Sequence, residues 1–339
     1  MSWVSTAAAA KHPIPRSITK WMLESAARAF AAGAVHDYSF PIHSRHFERT
    51  TMPTPADRLR ALLNQPGLLL MPGCHDAISA KLAEQAGFPI AFMSGFAVSA
   101  ARLGLPDTGL ISYGEMVEQG RNICSAVSIP LIGDGDTGFG NPLNVKRTVE
   151  GYARAGFACI MIEDQVMPKR CGHIRGKAVV AREEALLRVQ AAVDARNQGT
   201  DILIMARTDA RATDGLDEAI ARCRAFAAIG ADITFLEAPL SEAEMRRYCA
   251  EVPGPKMANL IEFGKTPLLP SAQLEAIGYK IAVYPLTLLN VSIKAMRAAL
   301  ACIQRGEAAD VLDFQELQAA VGFPGYYAGE ERYSAPPNV

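Results

Sequence analysis

The sequence has little excess charge of either sign and lacks long apolar runs. Its 339 residues include 34 Lys and Arg against 35 Asp and Glu, which gives a formal net charge of −1. Nucleic-acid binders carry a basic patch or stripe, so we expect no nucleic-acid partner. No apolar run approaches the roughly 18 residues of a membrane span, and no stretch has the apolar core and cleavage site of a secretory signal. These absences favour a cytoplasmic protein that acts on small molecules, with no membrane partner.

Cysteine motifs and a dinucleotide fingerprint are also lacking. The seven cysteines are scattered, odd in number and never spaced as CxxC. This argues against a disulfide framework or a zinc site, and it favours a reducing compartment. The first strand-like run ends in "MPGCHD" rather than GxGxxG. A doubly wound dinucleotide-binding sheet is therefore disfavoured.

Residues 1–52 differ from the rest of the chain, because they hold four of the six histidines and show no strand pattern. The stretch "RSITKWMLESAARAF" has the amphipathic, basic character of an organellar presequence. A docking helix, or sequence upstream of a start at Met52, are the alternatives. "TPAD" at 54–57 then predicts a helix start, with Thr54 as N-cap, Pro55 at the first helical position and Asp57 returning a capping contact. We predict an N-terminal extension over 1–52, a catalytic domain over 53–310, and a C-terminal helix and tail over 311–339.

Beyond residue 52, apolar strand-like runs alternate with helical patterns. Eight such runs are "LLLMPG" (68–73), "IAFMSG" (90–95), "IPLIGDGD" (129–136), "ACIMIED" (158–164), "ILIMARTD" (202–209), "ITFLEA" (233–238), "KMANL" (256–260) and "IAVYP" (281–285). Continuous hydrophobicity is typical of strands covered on both faces, and βα alternation indicates a parallel sheet. Eight units in roughly 230 residues predict an α/β fold of the (β/α)₈ TIM-barrel type.

Polar residues gather at the C-terminal ends of these runs. They are Asp134 and Asp136 after the third run, Glu163 and Asp164 after the fourth, Arg207 and Asp209 after the fifth, Glu237 after the sixth and Asn259 after the seventh. The C-terminal strand ends of a barrel converge on one mouth, so we expect these side chains to be neighbours. Taken alone, Asp209 reads as a solvated or salt-bridged loop residue.

Carboxylates that converge in a partly dry cavity repel one another, and they stay ionised at neutral pH only if a cation offsets them. Asp and Glu oxygens without matched His or Cys select Mg²⁺ or Mn²⁺ over zinc. We therefore predict that Asp134, Asp136 and Glu163 hold Mg²⁺, or Mn²⁺ in its place, some of them through water. The alternative is a network in which the carboxylates pair with Arg207 and Lys169.

A long polar segment, "EDQVMPKRCGHIRGK" (163–177), follows the fourth run. Its glycines suit a mobile lid. Lys169, Arg170 and His173 surround Cys171 with positive charge, which lowers the pKa of a thiol, so Cys171 can exchange a proton near neutral pH. The alternative for a lone cysteine is a small buried hydrophobe, which is how we interpret Cys124, Cys159, Cys223, Cys249 and Cys302. A divalent cation beside a proton donor suits the cleavage of a carbon–carbon bond through an enolate.

Five motifs, "KRCGH", "GDGDTGFGN", "LGLPD", "ARTDA" and "ANLIEFGKTP", resemble the isocitrate lyase / phosphoenolpyruvate mutase superfamily over about residues 57–335. The cysteine in KRCGH is typical of the lyase side, where it serves as proton donor or acceptor. The resemblance implies Mg²⁺ around Asp134 and Asp136, with Asp107 and Glu163 in the same set. It also implies substrate contacts, which fall on Ser94, Gly95, Phe96, Arg207, Glu237 and Asn259.

The resemblance also implies a homotetramer whose last barrel helix swaps between paired subunits. The segment "LTLLNVSIKAMRAALACI" after the eighth run could be that helix, and an ordinary buried barrel helix is the alternative.

The substrate stays open. "CGHIRGKAVV" is closer to dimethylmalate lyases, petal-death-type lyases, oxaloacetate hydrolases and the carboxyphosphonoenolpyruvate mutase, whereas "NLIEFGKTP" is like methylisocitrate lyase. Thr287 lies where a side chain could help decide between oxaloacetate hydrolysis and cleavage of a substituted malate. We predict a lyase that splits a 2-hydroxy di- or tricarboxylate of the 2,3-dimethylmalate or 2-methylisocitrate type. A hydrolase, a phosphonomutase and a non-catalytic binding barrel are the alternatives.

Overall fold

The computed structural model describes residues 52–172 and 176–334. The predictions for residues 1–51, for His173 and for the last five residues of the tail lie outside these ranges. The described part belongs to one compact unit that begins at Met52. Within it, no helix is both long and apolar enough to cross a membrane.

Eight strands alternate with helices along this unit. The strands are β1 Leu69–Cys74, β2 Ala91–Met93, β3 Leu131–Asp134, β4 Cys159–Glu163, β5 Leu203–Thr208, β6 Ile233–Leu236, β7 Met257–Asn259 and β8 Ile281–Tyr284. The helices are α1 Pro55–Asn64, α2 Ala77–Gln85, α3 Gly95–Val98, α4 Tyr113–Ala126, α5 Pro142–Ala155, α6 Arg182–Asn197, α7 Ala210–Thr213, α8 Leu216–Ile229, α9 Glu242–Glu251, α10 Ser271–Ile277, α11 Thr287–Arg305, α12 Phe314–Val321 and α13 Phe323–Tyr333. A π-helical turn, Ser99–Leu103, continues α3. Each strand lies within or one residue beyond its predicted run.

The strands form one parallel sheet in the order β6-β5-β4-β3-β2-β1-β8-β7. A parallel bridge between Thr234 in β6 and Lys256, directly before β7, joins the two ends of this order. The sheet is therefore a nearly closed barrel surrounded by helices, and the predicted (β/α)₈ fold is confirmed. The predicted helix swap and tetramer concern other subunits and stay predictions.

Side chains alternate across the barrel wall with the two-residue period of a strand. In β5, Leu203 and Met205 belong to the cluster inside the barrel, whereas Ile204 and Ala206 pack outward against the helices. The other strands follow the same pattern, so the barrel interior is a packed apolar core below the mouth. This fixes which residue of each strand end points into the mouth.

Helix α1 covers the N-terminal end of the barrel, because its Ala56 and Leu59 are fully buried within the interior cluster. Its start follows the prediction from "TPAD". The Asp57 N–H donates to Thr54 Oγ1 at 3.1 Å, and the Thr54 N–H donates to Asp57 Oδ2 at 3.3 Å. Pro55 occupies the first turn, where its missing N–H removes no helical bond.

This capping box predicts a measurable contribution to stability. Thr54→Ala removes the acceptor for the first-turn N–H, and we expect the free energy of unfolding to fall by about 1 kcal/mol in urea titrations. Thr54→Ser retains the hydroxyl and serves as the control, with a loss well below that of Ala. Equal losses in both variants would show that the threonine methyl group, rather than the cap, stabilises this end.

Candidate active site

The two-residue period carries polar side chains into the mouth of the barrel. Met161, Met205 and Phe235 face inward in β4, β5 and β6. The residues two positions later are Glu163, Arg207 and Glu237, and all three line the cavity at the mouth. Ser94, Asp134 and Asn259 follow inward-facing residues of β2, β3 and β7 in the same way.

This cavity has a volume of about 490 Å³, including its open mouth. The predicted site residues that line it are Ser94, Phe96, Asp107, Asp134, Glu163, Lys169, Arg170, Cys171, Arg207, Glu237 and Asn259. The opposite wall is apolar, and it includes Ile261, Pro285 and Leu286. The cavity therefore has a charged side on the β3–β6 strand ends and an apolar side on the β7 and β8 ends.

Three predicted site residues of the described chain lie outside the lining. Asp136 is 1% exposed and contacts Lys169 behind the cavity wall. Gly95 does not line the cavity, and its N–H donates to Asp134. Thr287 begins α11, and its hydroxyl donates to Glu262 Oε1 at 2.5 Å. The prediction that Thr287 contacts substrate is therefore not supported by its position, since the glutamate engages its hydroxyl proton.

Backbone N–H groups hold Asp134 in place. The Gly95 N–H donates to Asp134 Oδ2 and the Asp136 N–H donates to Asp134 Oδ1, each at 3.1 Å. A Cβ at position 95 would stand 2.7 Å from Asp134 Oδ2, so glycine is required for this approach. Asp136 has φ 47°, in the left-handed region that Asp and Asn tolerate better than most residues.

Lys169 neutralises part of the acidic cluster. Its Nζ lies 2.6 Å from Asp107 Oδ1 and 2.7 Å from Asp136 Oδ1, and all three side chains are buried. Burial raises the pKa of Asp136, Lys169 lowers it, and repulsion from Asp134 and Asp107 raises it again, to about 7. Lys169 alone therefore does not offset the burial of this carboxylate.

Arg207 is the second positive centre of the charged wall. Its Nε lies 2.8 Å from Asp209 Oδ2 and 3.3 Å from Glu163 Oε2, and its Nη2 lies 3.1 Å from Glu237 Oε2. Burial raises the pKa of Glu163 well above its ordinary range, although Arg207 opposes the shift. Asp209 is salt-bridged, as the sequence predicted for it alone. Both cations of the alternative network are thus paired with carboxylates.

Buried acids nevertheless outnumber buried bases at the charged wall. The acids are Asp107, Asp134, Asp136, Glu163, Asp209 and Glu237, and the bases whose side chains are buried among them are Lys169, Lys177 and Arg207. Asp136 Oδ2 and Glu163 Oε1 are buried without a hydrogen-bond partner. An additional cation at this wall would offset the excess negative charge.

The donor set fits Mg²⁺ bound largely through water. Across residues 52–172 and 176–334, no three His, Cys, Asp or Glu side chains are arranged to ligate a metal together. Mg²⁺ commonly takes one or two carboxylates and retains several waters, so this arrangement is compatible with it. Direct ligation by all of Asp107, Asp134, Asp136 and Glu163 is not supported, because Lys169 occupies the space between Asp107 and Asp136.

The segment that carries Cys171 lies directly on the charged wall. A Cβ on Gly172 would stand 2.5 Å from Arg207 Nη2 and 2.6 Å from Glu237 Oε2, so only glycine permits this contact. The Gln165 side chain accepts from the Arg170 N–H at 2.9 Å and donates to the Arg170 carbonyl at 2.8 Å. These contacts bring Cys171 into the cavity lining.

Gln165 and Lys177 are not among the site residues predicted from the sequence. Gln165 lies beyond Glu163, the last residue of β4, and Lys177 closes the polar segment, so neither belongs to a strand. Their only sequence signal is proximity to Cys171 in a segment rich in polar residues. Their importance depends on how that segment folds back, which a strand pattern does not specify.

Comparison with known proteins places this site in a family. The family model described as phosphoenolpyruvate phosphomutase matches residues 59–304. The chain belongs to the phosphoenolpyruvate mutase / isocitrate lyase superfamily. The resemblance seen in the sequence motifs is thereby confirmed, and so is the expectation that the chain is an enzyme of this superfamily.

Relatives in the superfamily carry several activities in their names. The chain is 48% identical to 2,3-dimethylmalate lyase of Eubacterium barkeri over 71% of this chain and 83% of that one. It is 41% identical to the chloroplastic carboxyvinyl-carboxyphosphonate phosphorylmutase of Arabidopsis thaliana, over 82% and 84%. It is 42% identical to 2-methylisocitrate lyase of Aeropyrum pernix, over 78% and 85%.

Solved structures of superfamily members share the fold closely. Oxaloacetate acetylhydrolase in complex with 3,3-difluorooxalacetate has a TM-score of 0.80 at 34% identity, over 84% of this chain and 99% of that chain. Phosphonopyruvate hydrolase in complex with oxalate and Mg²⁺ has a TM-score of 0.73 at 32% identity, over 83% and 99%. The fold is thus common to lyases, hydrolases and mutases, and it does not select among them.

The excess of buried acids predicts how Asp136→Asn affects stability. Asn keeps the left-handed backbone available and removes a carboxylate whose pKa is raised from 3.8 to about 7. A raised pKa means that ionisation destabilises the fold: the penalty is absent below about pH 4 and complete above about pH 7. In EDTA-treated protein we expect Asp136→Asn to raise the free energy of unfolding by about 2–4 kcal/mol at pH 8, and by much less at pH 4.

The matched control is Asp310→Asn, which changes an exposed aspartate and should leave stability unchanged at both pH values. Stability is measured by thermal and urea unfolding at each pH. Added MgCl₂ should stabilise the wild type and should stabilise Asp136→Asn less. Lower stability of Asp136→Asn at pH 8 would show that the ion pair with Lys169 outweighs desolvation and repulsion.

Proposed function

We propose that the protein is a Mg²⁺-dependent carbon–carbon lyase. It cleaves a 2-hydroxy di- or tricarboxylate of the 2,3-dimethylmalate or 2-methylisocitrate type into a 2-oxo acid and a second carboxylic acid. The observation that carries this proposal is the presence of Cys171 in the lining of the same cavity as Asp134, Glu163 and Arg207. A proton donor, an anion-binding group and an acidic cluster that fits a divalent cation thus face one enclosed volume.

Residues at the charged wall and beside it could bind the carboxylates of the substrate. Arg207 is a buried guanidinium at the wall, and we propose that it attracts one substrate carboxylate through its positive charge. The Ser94 hydroxyl and the Phe96 N–H would bind the carboxylate of the 2-oxo-acid fragment, while the Gly95 N–H holds Asp134 beside it. Asn259 donates to Glu237 at 3.2 and 3.3 Å, which orients both at the edge of the pocket.

The acidic cluster would hold Mg²⁺ through Asp134, with Asp107, Asp136 and Glu163 supporting it directly or through water. Mg²⁺ in that position supplies Lewis-acid stabilisation of negative charge on the 2-oxo-acid oxygens. The solved relative that contains oxalate and Mg²⁺ supports this assignment.

The chain's own residues then account for the proton transfer. As the carbon–carbon bond breaks, its electron pair passes to the departing acid and forms an aci-carboxylate, while the 2-hydroxyl gives its proton to a carboxylate of the acidic wall and becomes the 2-oxo group. Cys171 donates the thiol proton to the carbon of the aci-carboxylate, which yields the second carboxylic acid. Lys169 and Arg170 flank the thiol in the lining, and their charge would favour the thiolate that remains.

The apolar wall is consistent with a substrate that carries alkyl substituents. Ile261, Pro285 and Leu286 offer no hydrogen-bonding side chains to a polar group. A malate with methyl groups would bury them there, whereas unsubstituted oxaloacetate would leave that wall in contact with water.

A product panel tests the proposal. The purified protein is incubated with Mg²⁺ and, separately, with 2,3-dimethylmalate, 2-methylisocitrate, oxaloacetate and a phosphonate precursor, and the products are identified by mass spectrometry. We expect pyruvate with a second carboxylic acid from one of the first two, and loss of activity in EDTA that MgCl₂ restores. Oxalate and acetate from oxaloacetate would indicate a hydrolase, phosphonate formation would indicate a mutase, and activity that survives EDTA would contradict the metal assignment.

Cys171→Ser tests the proton donor. A serine hydroxyl is a far weaker acid than a thiol, so we expect kcat to fall by about 10²- to 10⁴-fold, the range of a positioned acid. Binding should survive, measured as the stabilisation of the protein by oxalate with Mg²⁺ in thermal scans. Cys302→Ser is the control, because Cys302 lies on α11 and outside the cavity lining, and it should retain full turnover. Unchanged turnover in Cys171→Ser would show that Cys171 is not the proton donor and that its segment has no catalytic role.

A further inference from the structure

Lys177 connects the Cys171 segment to the charged wall of the cavity. Its Nζ donates to the Gly172 carbonyl and to Asp209 Oδ1, each at 2.6 Å. The Lys177 side chain is 2% exposed and that of Asp209 is fully buried. A buried ammonium with two short, charge-assisted contacts is strongly localised, because leaving either partner would return it to a poorly solvated position.

Asp209 is shared between Lys177 and Arg207. Its Oδ1 accepts from Lys177 and from Arg207 Nη2, at 2.6 and 3.1 Å, and its Oδ2 accepts from Arg207 Nε at 2.8 Å. Burial by itself raises the pKa of Asp209, and attraction from Arg207 and Lys177 outweighs it, so the pKa lies below its ordinary value. Asp209 therefore remains a carboxylate that fixes both cations with respect to each other.

The carbonyl that Lys177 holds belongs to the residue next to Cys171. Gly172 already touches Arg207 and Glu237 so closely that no Cβ fits. Lys177 thus attaches the backbone beside the thiol to the same aspartate that orients the proposed substrate-binding arginine. On the other side of Cys171, the Gln165 amide holds the backbone of Arg170. The thiol lies between two anchored peptide groups.

We infer that Lys177 is a positioning residue, which sets the Cys171 thiol at a fixed distance from a substrate bound to Arg207 by joining the Gly172 carbonyl to Asp209. This inference rests on the role of Cys171 proposed above. Lys177 is absent from the cavity lining of the described residues, so its effect passes through the Gly172 backbone and Asp209. Proton transfer depends steeply on donor placement, and a misplacement of about 1 Å reduces turnover by about 10²-fold.

The test compares Lys177→Met, Lys177→Arg and a matched control, Lys146→Met. Lys146 lies on α5 and donates to Gln198 Oε1 at 2.8 Å, so its replacement removes an ammonium on a different helix from the Cys171 segment. For Lys177→Met we expect kcat to fall by about 10²-fold with KM changed by less than about threefold. Lys177→Arg, which keeps the charge, should recover part of kcat, and Lys146→Met should match the wild type.

Alkylation of Cys171 provides a readout that needs no substrate. Iodoacetamide labelling, followed peptide by peptide with mass spectrometry, should be several-fold faster at Cys171 in Lys177→Met than in the wild type. Labelling of Cys302, a partly buried cysteine on α11, should not change and serves as the internal reference. General destabilisation would accelerate labelling at both cysteines and lower the thermal midpoint, and that outcome would overturn the inference.

Two further outcomes would also overturn it: a rise in KM with kcat unchanged, which would make Lys177 a substrate ligand, or wild-type kcat and labelling in Lys177→Met. If Met at 177 prevents folding, Lys177→Gln, which keeps a donor for the Gly172 carbonyl without the charge for Asp209, is held to the same criteria. If the wild type cleaves none of the acids in the product panel, the proposed function fails. The labelling comparison then still decides whether Lys177 positions the segment.

Discussion

The arrangement at the barrel mouth depends on the neutralisation of buried negative charge. Six acidic side chains meet there, and three basic side chains are buried among them. Burial raises the pKa values of Asp136 and Glu163, and repulsion from the neighbouring acids adds to the shift that Lys169 and Arg207 oppose. A cation bound at this wall would relieve the repulsion among the carboxylates. The charge balance of the whole mouth, rather than any single residue, therefore sets the electrostatic environment of the cavity.

The barrel explains why this charge can be assembled without disrupting the fold. Polar groups are added only after the apolar core of each strand has ended, at the inward position two residues later, so the core below remains dry and packed. The apolar contacts stabilise the strands, and the strand ends inherit their positions from them. The carboxylates whose burial destabilises the fold are confined to the mouth. Such destabilising groups are common in active sites.

The fold and the polar strand ends of the cavity could be predicted from local periodicity, whereas Ser94, Phe96 and Asp107 were implied only by the family resemblance. Continuous apolar runs such as "ILIMA" specify buried parallel strands, and two-residue alternation then places Glu163, Arg207 and Glu237 inside. Thr287 shows where this reasoning ends. Its influence on the choice of substrate stays a prediction, and its hydroxyl donates to Glu262 from a different βα unit, a partner that no local pattern encodes. Lys177 was not predicted at all, because its contacts with Gly172 and Asp209 depend on how the polar segment folds and not on a strand pattern.

The outward-facing residues of the same strand ends explain how the site keeps its geometry. Asp164 follows Glu163 and points away from the cavity, where its carboxylate accepts from Thr208 Oγ1 at 2.6 Å and from the Asp209 N–H at 2.9 Å. Arg222 of α8 pairs with the same carboxylate at 3.0 Å. This bond set ties the end of β4 to the end of β5 and to the helix layer behind them. Because adjacent residues of a strand face opposite sides, fixing Asp164 outside also fixes Glu163 inside. The ion pair between Glu163 and Arg207 is therefore held from behind by a network that never contacts the cavity.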